Sequence, residues 1–129
     1  MKDNKLRIII NRSAQAIFDY TLNPENTPKW IDGIESEETN EWPVKIGSTY
    51  KNTNGKGSWN SYKVTELVDG ETFTLTSTPD LNLSVKYTFT KMTDNSTKFD
   101  YHEWVEQAPL EHVFTQDALE KLKDILEAS

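Results

Sequence analysis

The sequence predicts an α+β domain in which a curved antiparallel sheet of about six or seven strands wraps around a long C-terminal helix, with two short helices after the first strand. Three observations predict it. Residues 34–106 alternate apolar and polar side chains between turn signals, and the stretch after Pro109 runs on without an internal Gly or Pro. Between the first strand and residue 34, two short helical patterns are separated by prolines. No repeat, low-complexity tract or linker interrupts the 129 residues, so residues 1–129 read as one domain.

Each element follows from local chemistry. Lys5 to Asn11 carries the β-branched run of the first strand, and Ser13 is placed to cap a helix over AQAIFDYTL. In that helix Ala14, Ile17, Phe18 and Leu22 recur at helical spacing. Asn23-Pro24 ends it, because a residue before proline avoids the helical region. Pro28 to Gly33 can form one more turn with proline at its start, pointing Trp30 and Ile31 inward. Successive strands follow, with breaks at Trp42-Pro43, Asn54-Gly55-Lys56-Gly57, Asp69-Gly70, Pro79-Asp80 and Asp94-Asn95, as expected of a meander.

The clearest alternation is Leu81, Leu83, Val85, Tyr87 and Phe89 against Asn82, Ser84, Lys86, Thr88 and Thr90, the pattern of a sheet wet on one face. Phe73 with Leu75, and Phe99, Tyr101 and Val105, belong to the same apolar face. The last helix is predicted to start at Pro109. Its apolar stripe drifts from Leu110, Val113 and Phe114 to Ala118, Leu119, Leu122, Ile125 and Leu126, so its two halves should pack on different partners.

Composition narrows the function classes. With 14 Lys+Arg against 21 Asp+Glu the net charge is −7, which repels phosphate backbones and argues against nucleic-acid binding. There is no cysteine, hence no disulfide, thiolate nucleophile or Cys-based zinc site, and two histidines leave few metal ligands. No metal and no cofactor is expected. No apolar run approaches the ~20 residues of a membrane span, and Met1 to Arg7 is charged rather than the start of a signal peptide. A cytoplasmic protein without stable membrane insertion, monomeric or homodimeric, is the expectation.

The order of elements, with particular motifs, resembles the helix-grip fold of the START-like (Bet v 1-like, SRPBCC) superfamily, and within it the bacterial polyketide cyclase/dehydrase-type subgroup. The motifs are Ile9 to Asn11, then Ser13 to Ile34 (SAQAIFDYTLNPENTPKWIDGI), Val44 to Ser48 (VKIGS), Lys63 to Glu66 (KVTE) and the closing LKDILE. They mark helix ends, turns and core positions, so they speak for architecture rather than for a reaction.

The resemblance implies a deep cavity between the concave face of the sheet and the first half of the last helix, holding an apolar small molecule such as a lipid, sterol or polyketide. Its wall would comprise Tyr50, Tyr62, Phe73, Leu75, Leu83, Val85, Tyr87, Phe99, Tyr101 and Glu103 from the sheet. Leu110, Val113, Phe114 and Asp117 would face it from the helix, with Trp30 at the rim.

Two carboxylates are candidates for chemistry. Glu103 falls in phase with Phe99, Tyr101 and Val105 and is the sharpest anomaly on the apolar face; a bulge or strand end would instead send it to solvent. Asp117 lies within the early helix stripe and can approach Glu103 across the cavity, or pair with Lys121 one turn on. His102 shares the opposite face with Asp100 and Trp104, the placement of a solvated residue, and His112 points away from the cavity on the helical wheel. Trp59 either lies outside the sheet or reaches the pocket through a bulge at Gly57, and Trp42 reads as a rim or core plug. The glycines of Asn52 to Asn60 fit a hairpin rather than a phosphate loop, and no serine-hydrolase or nucleotide motif is present.

Three functions stay open at this stage. One is a binding module whose cavity accepts a small apolar or aromatic molecule, oriented by tyrosine hydroxyls and Glu103. Another is a cyclase or dehydratase in which Glu103 or Asp117 removes a proton next to a carbonyl and Tyr87 or Tyr101 donates to the oxyanion. The third is a protein-interaction module like the Hsp90-activator branch of the superfamily, which requires an exposed apolar patch.

Overall fold

The computed structural model describes residues 2–107, 109–110 and 113–128. Its elements are β1 (Lys2–Ile10), α1 (Ala14–Leu22), α2 (Thr27–Trp30), β2 (Ser36–Thr39), β3 (Thr49–Thr53), β4 (Trp59–Val68), β5 (Thr72–Thr78), β6 (Leu83–Thr93), β7 (Ser96–Val105) and α3 (Gln116–Glu127). The seven strands form one antiparallel sheet in the order β1-β7-β6-β5-β4-β3-β2. Every neighbour from β7 to β2 is also a neighbour in sequence; only β1 is long-range, pairing with the last strand. This is the predicted α+β, helix-grip plan.

The local signals act as physics requires. Ser13 Oγ accepts from the amide of Ala16 at 3.2 Å and caps α1. At its other end, the amide of Glu25 turns back onto Asn23 Oδ1 at 3.0 Å. Ile17 and Phe18 are buried, and the Phe18 ring stands edge-on to Phe73 and Phe89, with centroids 5.8 Å away in both cases. Pro28 sits in the first turn of α2, with Trp30 and Ile31 buried just after it.

Register carries the alternation across the sheet. Tyr101 lies between Leu6 of β1 and Tyr87 of β6, and Tyr87 is opposite Phe73 of β5. Glu103 lies between Asn4 and Val85. A bulge at Thr65 lets both Val64 and Leu67 face the core, opposite Leu75 and Phe73.

Helix α3 packs along β1 with Leu119, Leu122 and Leu126 buried. Its side chains also occupy the free edge of that strand. Gln116 Nε2 donates to the carbonyl of Arg7 at 3.0 Å, and Lys123 Nζ to that of Ile9 at 2.7 Å. The Glu127 carboxylate accepts from the amide of Asn11 at 2.8 Å. Two carbonyls of an edge strand that would otherwise stay unpaired are thereby satisfied within the chain.

The C-terminal helix departs from its predicted start. It begins at Gln116 after an extended Thr115 with φ −115° and ψ 166°, not at Pro109, and is 12 residues long. Pro109, Leu110, Val113 and Phe114 lie in non-helical chain that precedes it. The cause is tertiary. The Phe114 amide donates to Glu103 Oε2 at 2.8 Å and its carbonyl accepts from Asn4 Nδ2 at 3.0 Å, so both backbone groups a helix would use are held by the sheet. His112, expected on the outer face of that helix, lies outside the described residues together with Glu111.

Leu122 is fully enclosed, so Leu122→Ala should lower unfolding free energy by about 2–5 kcal/mol, read as an earlier midpoint at unchanged slope in urea denaturation. A loss below ~1 kcal/mol would show that α3 is not part of the cooperative core.

Candidate functional site

The inward side chains of β7 pass from solid core to open space. Phe99 is stacked on Phe89 at 5.1 Å and belongs to the packed end of the sheet, with Ile8, Ile10 and Phe18. Two residues on, Tyr101 is at the boundary, and Glu103 and Val105 line a cavity of about 750 Å³. A volume of this size suits a drug-sized molecule.

The cavity lies between β6 and β7, the β3–β4 hairpin, the Ile31–Ile34 turn after α2 and the non-helical residues Pro109, Leu110 and Phe114. A smaller inner space of about 80 Å³ shares Ile34, Tyr62, Val85, Tyr101 and Phe114 with it and extends to Phe73, Leu75, Tyr87 and Glu37. Its inner end is aromatic and aliphatic. The mouth is rich in amides and hydroxyls, with Asn54, Ser58, Asn60 and Asn82, and Lys56 on the exposed hairpin.

The structure brings together Tyr62, Leu83, Val85, Tyr101, Glu103, Leu110 and Phe114 around the larger space, and Phe73, Leu75 and Tyr87 around the inner one. It places the others elsewhere. Trp30 is buried behind the wall, edge-on to Tyr87 and Phe114 at 6.1 and 5.9 Å. Tyr50 is buried with its hydroxyl donating to the Leu22 carbonyl at 2.5 Å, a tie between β3 and the end of α1. Phe99 is core. Val113 is 46% exposed, and Asp117 is exposed in the first turn of α3, because the chain before Thr115 does not continue the helical stripe that would have aimed both inward. Lys121 pairs with Asp32 at 2.9 Å rather than with Asp117.

The remaining aromatic and histidine positions lie outside. Trp59 is 49% exposed, and Trp42 is 54% exposed and so plugs neither rim nor core. His102 is on the outer face, 3.0 Å from Asp3, while Asp100 accepts from Arg7 at 2.6 Å. Among the described residues, no three His, Cys, Asp or Glu side chains gather as a metal site, and no helix is long and apolar enough to cross a membrane.

Glu103 is 4% exposed and reaches neither a bulge nor solvent. Its Oε2 accepts from Asn4 Nδ2 and from the Phe114 amide, both at 2.8 Å. The ring of Phe114 stacks on Tyr101 at 4.4 Å with an interplanar angle of 2°. One carboxylate oxygen thus fixes the segment that roofs the cavity.

A second cavity carboxylate is Glu37 on β2. It accepts from Thr27 Oγ1 at 2.6 Å and from Asn52 Nδ2 at 3.2 Å. Burial pushes its proton affinity up, against the pull of those two hydrogen bonds. Sequence reasoning passed over it and over Asn52 and Asn60. The signal was available for the asparagines, which are in phase with the inward Tyr50 and Tyr62; Glu37 needed the pairing of β2 with β3, which places it opposite Asn52.

The phenols respond to both carboxylates. Burial first, then the Glu37 and Glu103 charges, pushes Tyr62 above the ordinary phenol value, and burial lifts Tyr87 and Tyr101 well above it. These phenols stay protonated at neutral pH. The site can therefore enclose an apolar or aromatic body and offer phenol hydroxyls, amides and two carboxylates to polar groups on it.

The polyketide cyclase/dehydrase and lipid transport family model matches residues 3–129. The solution structure of the Aha1 dimer from Colwellia psychrerythraea is similar at 20% identity, over 98% of this chain and 97% of that one, with a TM-score of 0.73. A Mesorhizobium loti protein shares 12% identity over 99% and 98% of the two chains at TM-score 0.78. Norcoclaurine synthase from Thalictrum flavum, solved with dopamine and hydroxybenzaldehyde, shares 14% over 98% and 87% at TM-score 0.65. At these identities the likeness is one of fold. No curated protein matches the chain.

A pH test follows from Glu37. Its raised folded-state value means that the folded chain binds more protons than the unfolded one above the ordinary glutamate value of 4.5, so ionising Glu37 costs stability as pH rises through its folded value. Glu37→Gln should melt higher than the parent at pH 7, and the gap should close below pH ~4. A gap independent of pH would assign the effect to packing instead.

Proposed function

The chain belongs to the polyketide cyclase/dehydrase and lipid transport family of the SRPBCC superfamily, and we propose that it binds a small apolar or aromatic molecule in the cavity between its sheet and the segment leading into α3. The observation that carries this reading is the cavity itself. Aromatic and aliphatic side chains meet at its inner end, polar groups cluster at its mouth, and the protonated phenol of Tyr62 stands on its wall beside Tyr101, whose hydroxyl bonds Glu103. Burial of the ligand's apolar body supplies affinity, and the polar groups orient it. In this reading the protein works in the cytoplasm.

A binding role fits the geometry of Glu103 better than cyclase or dehydratase chemistry does. Glu103 Oε2 holds the roof through Asn4 and Phe114, a positioning role that a binding cavity uses directly. The carboxylate expected at Asp117 is exposed and does not line the cavity.

A thermal-shift screen against sterols, fatty acids, flavonoids and aromatic polyketides tests the proposal, with Val85→Trp as the plugged control. A ligand at 100 times its Kd should stabilise the protein by about 2.7 kcal/mol, roughly 8 °C, and Val85→Trp should abolish the shift. A shift that survives in Val85→Trp would place binding outside the cavity.

A further inference from the structure

Glu103 lines the larger space and Glu37 the inner one, and neither carboxylate meets a cation among the described residues. The partners of Glu103 are an amide side chain, a backbone N–H and the Tyr101 hydroxyl; those of Glu37 are a hydroxyl and an amide side chain. Neither forms an ion pair among the described residues, in contrast to Asp32 at the rim, which pairs with Lys121. Lys56 is the one basic side chain among the described residues lining the two spaces, and it stands on the exposed hairpin at the mouth, where water screens it. The Glu37 and Glu103 charges both act on the phenols of Tyr62 and Tyr87, so their negative potential falls on one shared interior.

Water-poor surroundings make an uncompensated carboxylate costly, and a charge-bearing ligand can supply what the protein omits. The aromatic wall adds a second attraction of the same sign, since the faces of Tyr and Phe rings favour cations. A carboxylate-headed molecule would meet two like charges with no buried cation to receive it. We infer that the cavity selects organic cations, an amine carried on an aromatic or aliphatic body, over neutral and carboxylate-headed molecules of the same shape. This rests on the reading of the cavity as a ligand site and specifies the class of ligand.

The test uses three matched probes, 2-(1-naphthyl)ethylamine, 2-(1-naphthyl)ethanol and 1-naphthaleneacetate, titrated into the full chain by calorimetry at pH 7. The amine should bind at least about tenfold more tightly than the alcohol, and the carboxylate most weakly. Glu37→Gln and Glu103→Gln should each move the ratio of amine to alcohol affinity toward one. If Glu103→Gln loses its fold through the roof contacts, Glu37→Gln carries the comparison alone. Equal affinities for the three probes, or a preference for the carboxylate, would overturn the inference and leave the cavity reading standing. Failure of all three to bind would overturn both.

Discussion

The shape of the cavity depends on three residues from separate parts of the chain. Asn4 on β1, Glu103 on β7 and the backbone of Phe114 form a closed set of hydrogen bonds, in which one carboxylate oxygen accepts from two donors and Asn4 also caps the Phe114 carbonyl. Phe114 is thereby pressed against Tyr101 and Trp30 and becomes part of the cavity wall. The same bonds take away the backbone groups that would have continued α3 toward Pro109.

This clamp works because β1 returns to pair with β7, the last strand. The pairing sets Asn4 opposite Glu103, and α3 then lies along the free edge of β1, anchored to the carbonyls of Arg7 and Ile9 and the amide of Asn11. One end of the concave face fills with Phe18, Phe89 and Phe99 and supports the rest, while the end bearing Val85, Glu103 and Val105 stays open. The packed core and the cavity occupy different stretches of the same strands.

Much of this was legible in residue order. Alternation along β5, β6 and β7 identified the concave face, and the N-cap at Ser13 and the proline breaks placed α1 and α2, because those signals act over a few residues. Glu103 was legible as an inward carboxylate for the same reason. Glu37 was not, since a four-residue strand of polar side chains has no phase of its own until β3 supplies one. Asp117 and Val113 were misplaced because helical spacing was extended through a segment whose backbone is claimed by partners about a hundred residues or a strand away.

The sequence by itself determined the fold class, the meander and the apolar face, which rest on local periodicity and turn chemistry, and its motifs carried the resemblance to the family whose model matches residues 3–129. Only the tertiary structure decided where α3 begins, which inward residues pack solid and which border a cavity, and that Glu37 and Glu103 share one interior with no cationic partner among the described residues. Those features depend on contacts between distant strands, and a residue's own neighbours in the chain carry no record of them.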